Sequence, residues 1–277
     1  MISRLDHVVY PVSTSLFDDV IKQLTRAGFM EHTQKVHHSD GRVSAFFRVS
    51  GGYLEFSSCG SVCEEEQFAG SCSVWLCSTD LNAEVENLPT SHGEILAITK
   101  KAPFNDHEPA WLLLNLPARC AGDVQVSLIE YLRGIGAELS ARVPDNGLFA
   151  IIAVSVICER AELEMHHYLA SLGFLTGAIA TEKERFCIGH QWLAFLSRHE
   201  SLCAGPIDLS HVSCLVHMAT VDLSLTTSML KSADFILDEL PGVGLLAQSR
   251  LAPSFCLVLD TGVDPEWHQT RLQARSG

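Results

Sequence analysis

The sequence predicts an α+β fold built from four β-α-β-β-β modules, and three observations support this prediction. The chain has 277 residues, of which 47% are hydrophobic and 19% charged, so it can bury a large core and is too apolar to be disordered. One order of predicted elements recurs along it. Short motifs also recur at equivalent places: Ala27-Gly28-Phe29 matches Leu172-Gly173-Phe174, and Leu54-Glu55-Phe56 matches Leu193-Ala194-Phe195.

The first module shows the order of elements most clearly. Its predicted elements are a strand over 6–12, a helix over 16–27, a strand around Val36, and strands over 43–49 and 53–57. Thr14 or Ser15 is the candidate N-cap of the helix, and Gly28 is placed to end it.

The other modules repeat this order with lower fidelity. The second has strands over 73–77, around Ile95, over 111–116 and over 126–132, with a helix over 80–88; the third has a strand over 148–157, a helix over 159–172 and a strand over 192–196; the fourth has a strand over 209–212, a helix near 223–233 and a strand over 255–259. Modules one and two form a predicted domain over 1–134, and modules three and four form another over 147–265. The stretch 134–146 links them. The alternative is a set of ordinary α+β segments with generic patterning.

Charge and apolar runs exclude several kinds of partner. With 19 Lys and Arg against 33 Asp and Glu, the formal charge is −14, so a nucleic acid or an anionic membrane surface would repel the chain. The longest apolar run, 148–158, is shorter than the roughly 18 to 20 residues that cross a bilayer. No signal peptide is recognised at the start. The ten cysteines are scattered without a CxxC pair, which favours reduced thiols and a cytoplasmic location.

Three side chains are candidates for a metal site. Glu55 lies between apolar neighbours in a strand predicted to be largely buried, where a carboxylate needs a cation, a donor or a proton. Glu130 has the same setting in the last strand of module two, and His7 lies in the first strand of module one. Two such carboxylates in paired modules would repel each other unless a cation lies between them. One imidazole and two carboxylates suit Zn, Ni, Mn, Co or Fe, with positions left for water or substrate.

Each candidate also has a purely structural interpretation. A lone strand histidine is often a hydrogen-bonded core residue, and a strand glutamate can lie at an exposed sheet edge. The roles of His37 and His38, which precede a predicted turn, and of His107, in a polar loop, stay open.

Four motifs resemble those of the vicinal oxygen chelate superfamily, which includes glyoxalase, bleomycin-resistance and extradiol-dioxygenase proteins, and within it the glyoxalase-like domain proteins. They are LDHVVYPV over 5–12, GGYLEF over 51–56, VWLCSTDL over 74–81 and SLIEY over 127–131. The resemblance implies that paired modules curl into half-barrel domains, each with a cleft for a metal held by the first and last strands of its modules. On that pattern His7, Glu55 and Glu130 are metal ligands.

The sequence also departs from this family. Ser73 stands where the superfamily often has a second histidine, and Ala194 replaces the acid of module three. Module four has Cys256 or Leu257 at that place and keeps only His211 at an opening-strand position. We therefore expect the N-terminal half to hold the metal and the C-terminal half to have a structural or substrate-shaping role.

These observations predict a metalloenzyme of the lyase or isomerase type. It would act on a small oxygenated metabolite through a metal-stabilised enolate, with Glu130 as the candidate catalytic base. An extradiol-type dioxygenase and a metal-free small-molecule-binding protein of the resistance type are the alternatives. The expected partner is a small-molecule substrate, with neither nucleic acid nor membrane, and a homodimer is left open.

Overall fold

The computed structural model describes residues 2–32, 35–58, 72–87, 99–101, 110–115, 124–132, 143–158, 185–197, 207, 209–240 and 244–260. The N-terminal half contains β1 (Ile2–Val12), α1 (Phe17–Arg26), β2 (Val36–His37), β3 (Val43–Val49), β4 (Gly52–Ser58), β5 (Ser73–Ser78), α2 (Leu81–Asn87), β6 (Thr99–Lys101), β7 (Trp111–Asn115) and β8 (Gln125–Tyr131). The C-terminal half contains β9 (Leu148–Cys158), β10 (Arg185–Ile188), β11 (Gln191–Ser197), β12 (Cys214–Thr220), α3 (Leu223–Ser232), β13 (Phe235–Leu240), β14 (Gly244–Ser249) and β15 (Cys256–Asp260).

The strands form two mixed sheets in which modules are paired. The first sheet has the order β2-β3-β4-β1-β5-β8-β7-β6, and the second has the order β10-β11-β9-β12-β15-β14-β13. In each sheet the opening strands of two modules, β1 with β5 and β9 with β12, lie side by side and antiparallel at the centre. Each opening strand is parallel to the last strand of its own module. The predicted α+β fold of paired modules is therefore confirmed.

Alternation along the strands gives the first sheet two different faces. One face, which we call the helix face, carries the buried side chains Val8, Tyr10, Leu54, Phe56, Val74, Leu76, Val126 and Leu128. The opposite face, which we call the site face, carries Tyr53, His7, Trp75 and Ser127 in register across β4, β1, β5 and β8. On this face Tyr53 and Trp75 are half-buried, whereas His7 and Ser127 are buried.

The helix faces of the two sheets share one core. The ring of Phe255, next to β15, packs against the first sheet. Its centroid lies 4.9 Å from that of Tyr10 and 5.0 Å from that of Phe56. The side chain of Gln191 adds polar contacts: its Oε1 accepts a hydrogen bond from the Leu5 amide at 2.9 Å, and its Nε2 donates to the Gly51 carbonyl at 2.9 Å. The two sheets are thus packed as one body, and the two-domain division of the chain stays a prediction.

The helix ends show local chemistry of two kinds. Gly28 follows α1 and ends it as predicted, because its φ of +80° is not helical. The position also has no room for a side chain, since a Cβ there would lie 2.8 Å from the backbone nitrogen of Asn146. The predicted N-caps Thr14 and Ser15 are wrong, since Leu16 holds that position and has no capping side-chain hydrogen bond. In α3, by contrast, the carboxylate of Asp222 accepts from the Leu225 amide at 2.9 Å.

The start of module four also needs correction. The predicted strand over 209–212 falls in a 3-10 turn, Leu209–His211, and the opening strand is β12. The apolar pattern that suggested a strand has another origin: Leu209 and Val212 are buried in a cluster with residues of β12, β14 and β15. His211 is therefore not on an opening strand, whereas His217 is.

Several predictions lie outside the described residues. These are the strand around Ile95, the helix over 159–172, residues 134–142 of the linker, and His107. Among the described residues, no helix has the length and apolar character needed to span a membrane.

Candidate functional site

The site face is shaped by a β-bulge in β1. Leu5 is paired with Leu76 and His7 with Trp75 of β5, so Asp6 has no partner of its own on that strand. A bulge redirects side chains locally, and the Asp6 carboxylate accordingly lies beside the imidazole of His7 instead of on the opposite face. Asp6 is fully buried, so its charged form is stable only if neighbouring groups compensate for the loss of water.

His7 has contacts on both ring nitrogens and on both ring faces. Its Nδ1 lies 2.8 Å from Oδ2 of Asp6, and its Nε2 lies 3.6 Å from Oε2 of Glu55. The ring is stacked between Tyr53 and Trp75, with centroids 4.4 and 5.2 Å away and planes tilted by 10° in each case. The imidazole is therefore held in one orientation, with Nε2 directed at Glu55.

The carboxylate of Asp6 is stabilised by three neighbours. Besides His7, Oδ2 accepts a hydrogen bond from the Tyr131 hydroxyl at 2.8 Å, and Oδ1 lies 2.9 Å from the Arg4 guanidinium. Burial opposes ionisation of Asp6, but the hydrogen bond and charge of His7, the charge of Arg4 and the Tyr131 hydroxyl outweigh it and lower its pKa. Burial and then the negative charge of Asp6 raise the pKa of Tyr131 and Tyr53, so both phenols stay neutral.

Glu55 is held at its other oxygen. It lies on β4, two residues beyond Tyr53, which is the register partner of His7, and its Oε1 accepts a hydrogen bond of 2.7 Å from the Ser44 hydroxyl on β3. This bond leaves Oε2 facing His7. The structure thus brings two of the three predicted ligands together, each fixed by a hydrogen bond on the side away from the other.

Glu130 is not brought to this pair. Ser127 is in register with Trp75, so Ser127, Ile129 and Tyr131 of β8 belong to the site face and Glu130 to the helix face. There its Oε2 accepts a 2.7 Å hydrogen bond from the Leu81 amide at the start of α2. The expected convergence of Glu130 with Glu55 and His7 is corrected on this point, because the Glu130 carboxylate accepts a hydrogen bond at the start of α2.

In the described part of the chain, no group of three or more His, Cys, Asp or Glu side chains is arranged to hold a metal ion. His7 and Glu55 supply two donors, and a metal-binding role for them stays a prediction. His37 is exposed, and the half-buried His38 contacts Ser44 at 2.9 Å between Nε2 and Oγ.

Sequence reasoning missed Asp6 and Tyr131. The simple alternation of β1 places Asp6 on the face opposite His7, and only the bulge reverses this. In β8 two apolar residues, Leu128 and Ile129, precede the Glu-Tyr pair, so the sequence contains no signal for which of the two side chains faces the site.

The second sheet keeps the frame of this site without its charged groups. Its central strands have a bulge at the equivalent place, between His217 and Met218 in their pairing with β9. Comparison of strand pairing in the two sheets gives the equivalent positions: Ile152 corresponds to Asp6, Ala153 to His7, Trp192 to Tyr53, Ala194 to Glu55 and His217 to Trp75. The positions equivalent to His7, Asp6 and Glu55 are thus occupied by alanine or isoleucine, which supports the expectation that the N-terminal half holds the functional site.

Comparison with known proteins supports the fold. No family model and no curated protein matches the sequence. Among solved structures, a xylose isomerase-like TIM barrel/4-hydroxyphenylpyruvate dioxygenase fusion protein is similar with a TM-score of 0.58 and 11% identity, over 100% of this chain and 53% of that chain. A hypothetical protein from Staphylococcus aureus is similar with a TM-score of 0.53 and 11% identity, over 94% of this chain and 100% of that chain. This chain spans about half the length of the fusion protein, and at such identity the likeness concerns the fold alone.

Proposed function

We propose that the site face of the first sheet is the active site of a metal-assisted lyase or isomerase that acts on a small oxygenated metabolite. The observation that carries this proposal is the convergence of His7 Nε2 and Glu55 Oε2, 3.6 Å apart. Both groups lie among aromatic side chains on the site face, and a few polar groups among aromatic residues are typical of small-molecule sites.

The donor atoms of this pair fit a divalent ion. Bonds of about 2.0–2.2 Å from one ion to an imidazole nitrogen and to a carboxylate oxygen place those atoms roughly 3–4 Å apart. The hydrogen bond from Nδ1 of His7 to Asp6 is the kind of contact that metal-bound histidines make. Zn, Ni, Mn, Co and Fe all accept such nitrogen and oxygen ligands. With two protein donors among the described residues, further positions would fall to water and substrate.

The proposed enolate chemistry needs a group that stabilises negative charge on the substrate and a group that accepts its proton. A divalent ion, when bound, polarises a substrate carbonyl and stabilises an enolate. Oε2 of Glu55 would hold the ion together with His7, so it could accept a proton from the substrate only after releasing the ion; this is the base role predicted for Glu130, whose carboxylate is engaged at α2. Tyr53 and Trp75 cover both faces of His7 and exclude water from them.

The metal content of the purified, untagged protein tests this proposal. We expect about one divalent ion per chain in the wild type and its loss in His7→Ala and in Glu55→Ala. Glu130→Gln is the matched control, because it removes a strand carboxylate of the same module pair that does not contact His7; it should keep the ion. Loss of metal in Glu130→Gln alone, with retention in the other two variants, would contradict the assignment.

A metal-free binding protein is the second candidate. The two stacked rings on His7 and the edge-to-face contact of Phe46 with Tyr53, at 5.6 Å between centroids, form an aromatic surface suited to a planar ligand. A wild type that binds no metal, yet is stabilised against heat by a small aromatic acid, would favour this candidate. Bound redox-active iron with substrate-dependent oxygen uptake would instead favour a dioxygenase.

A further inference from the structure

His38 is connected to the candidate site through Ser44. Its Nε2 lies 2.9 Å from the Ser44 hydroxyl oxygen, and that hydroxyl lies 2.7 Å from Oε1 of Glu55. Ser44 is completely buried, whereas His38 is partly exposed. A chain of two hydrogen bonds therefore leads from the protein surface to the carboxylate beside His7.

The direction of this chain follows from the donors available. An ionised carboxylate only accepts, so the single proton of the Ser44 hydroxyl is donated to Glu55. The oxygen of Ser44 is then an acceptor with two lone pairs. The Ser57 oxygen, 3.2 Å away, is a competing acceptor for the same Ser44 proton, but it is uncharged and farther away than Oε1 of Glu55. With the Ser44 proton donated to Glu55, the approach of Nε2 of His38 to within 2.9 Å of the Ser44 oxygen requires that His38 carry a proton on Nε2.

We propose that His38 is a positioning residue that acts on Glu55 through Ser44. By donating to Ser44, His38 keeps the serine hydroxyl directed at Oε1 of Glu55, which leaves Oε2 facing His7. Asp6 fixes the other partner in the same way, by its bond to Nδ1 of His7. The importance of this role for catalysis depends on the function proposed above, but the hydrogen-bond chain itself does not.

Nuclear magnetic resonance of the metal-free protein with labelled histidine tests the chain directly. In the wild type we expect an Nε2 proton on His38 that exchanges slowly with solvent. That resonance should disappear in Ser44→Ala and persist in Ser57→Ala, the matched control, which removes the weaker contact of the same hydroxyl. A proton found on Nδ1 of His38 and absent from Nε2 in the wild type would overturn the proposal, and this result needs no variant.

Zinc titration of the same proteins tests whether the chain positions Glu55. Loss of an outer-shell partner of a metal ligand typically weakens metal affinity 10- to 100-fold. We expect such a loss in His38→Phe and its rescue in His38→Gln, whose amide nitrogen can donate in place of Nε2. His37→Phe, at the exposed neighbouring residue, should leave affinity unchanged. Equal affinity in wild type and His38→Phe would overturn the positioning role.

The two proposals can fail separately. If wild-type protein binds no zinc but shows the slowly exchanging Nε2 proton, the metal-dependent function fails and the hydrogen-bond chain stands. If zinc binds and the Nε2 proton is absent, the proposed function stands and the role of His38 is refuted.

Discussion

The buried charges of the site stabilise one another within a few ångströms. Asp6 and Glu55 would repel each other across the imidazole, but Asp6 has an ion pair with Arg4 and a hydrogen bond from Tyr131, and Glu55 has a hydrogen bond from Ser44. A carboxylate without such partners is costly to bury, and here every described partner also fixes an orientation. The same contacts that make the acids tolerable thus direct His7 and Glu55 at each other.

Cys256 shows the opposite way to bury an ionisable group. It lies in the apolar cluster of the second sheet, and burial raises the pKa of its thiol to about 12. An unfolded chain releases this proton near pH 8.5. Between these values only the unfolded chain loses the proton, so the free energy of unfolding falls as pH rises, by up to about 1.4 kcal/mol per pH unit. Below about pH 8.5 the contribution of the thiol to stability is fully present and constant.

Urea unfolding at about pH 7.5 and about pH 10 tests this behaviour. Wild type should lose roughly 2 kcal/mol more than Cys256→Ala over that interval, because the variant lacks this one titrating group. Other buried thiols and phenols act equally in both proteins and cancel in the comparison. Identical losses in the two proteins would show that Cys256 does not retain its proton in the folded state.

The helices α1 and α3 occupy equivalent places in their modules but differ in N-terminal capping. The N-cap of α3, Asp222, accepts from the Leu225 amide, whereas the N-cap of α1, Leu16, has no side-chain acceptor and is substantially exposed. We expect Asp222→Ala to lower the free energy of unfolding by about 1 kcal/mol and Leu16→Ala to change it by less than about half as much. Chemical denaturation of the two variants measures both. A larger loss in Leu16→Ala would mean that packing of residue 16, not capping, dominates at these helix starts.

The helices and strands were largely predictable from the sequence, but the face of the sheet on which each side chain lies was not. Alternation located β3, β4, β5, β7, β8, β9 and β11, and helical spacing located α1, α2 and α3. Which face a side chain occupies depends on a single residue of register. Asp6 joined the site through a bulge, and Glu130 left it because β8 runs one residue out of the expected phase.

The candidate site was half predictable for the same reason. His7 and Glu55 lie on adjacent strands of one module, where the pairing of first and last strands fixes their relation. Tyr131 and Ser44 come from neighbouring strands whose register no pattern in the sequence specifies. The hydrogen bonds that orient the pair are therefore a property of the assembled sheet.

At the scale of the whole molecule, the two sheets depend on one core. Phe255 belongs to the C-terminal half, yet its ring contacts Tyr10, Phe29 and Phe56 of the N-terminal half. The side chain of Gln23 on α1 adds a polar link, since its Nε2 donates to the carbonyl of Ala233 and its Oε1 accepts from the hydroxyl of Ser249. A core shared in this way should make the halves unfold together.

Replacement of Phe255 tests this dependence. Phe255→Ala should lower the free energy of unfolding by about 3–5 kcal/mol, because it opens a cavity at the centre of the shared core. Phe46→Ala, at a half-buried ring on the site face, should cost less. Hydrogen exchange resolved to peptides provides the measurement: the slowest amides of β1 and of β12 should lose protection by the same factor in Phe255→Ala. Loss of protection in β12 alone would show that the C-terminal half opens independently, and the shared core would then contribute little to the stability of the site.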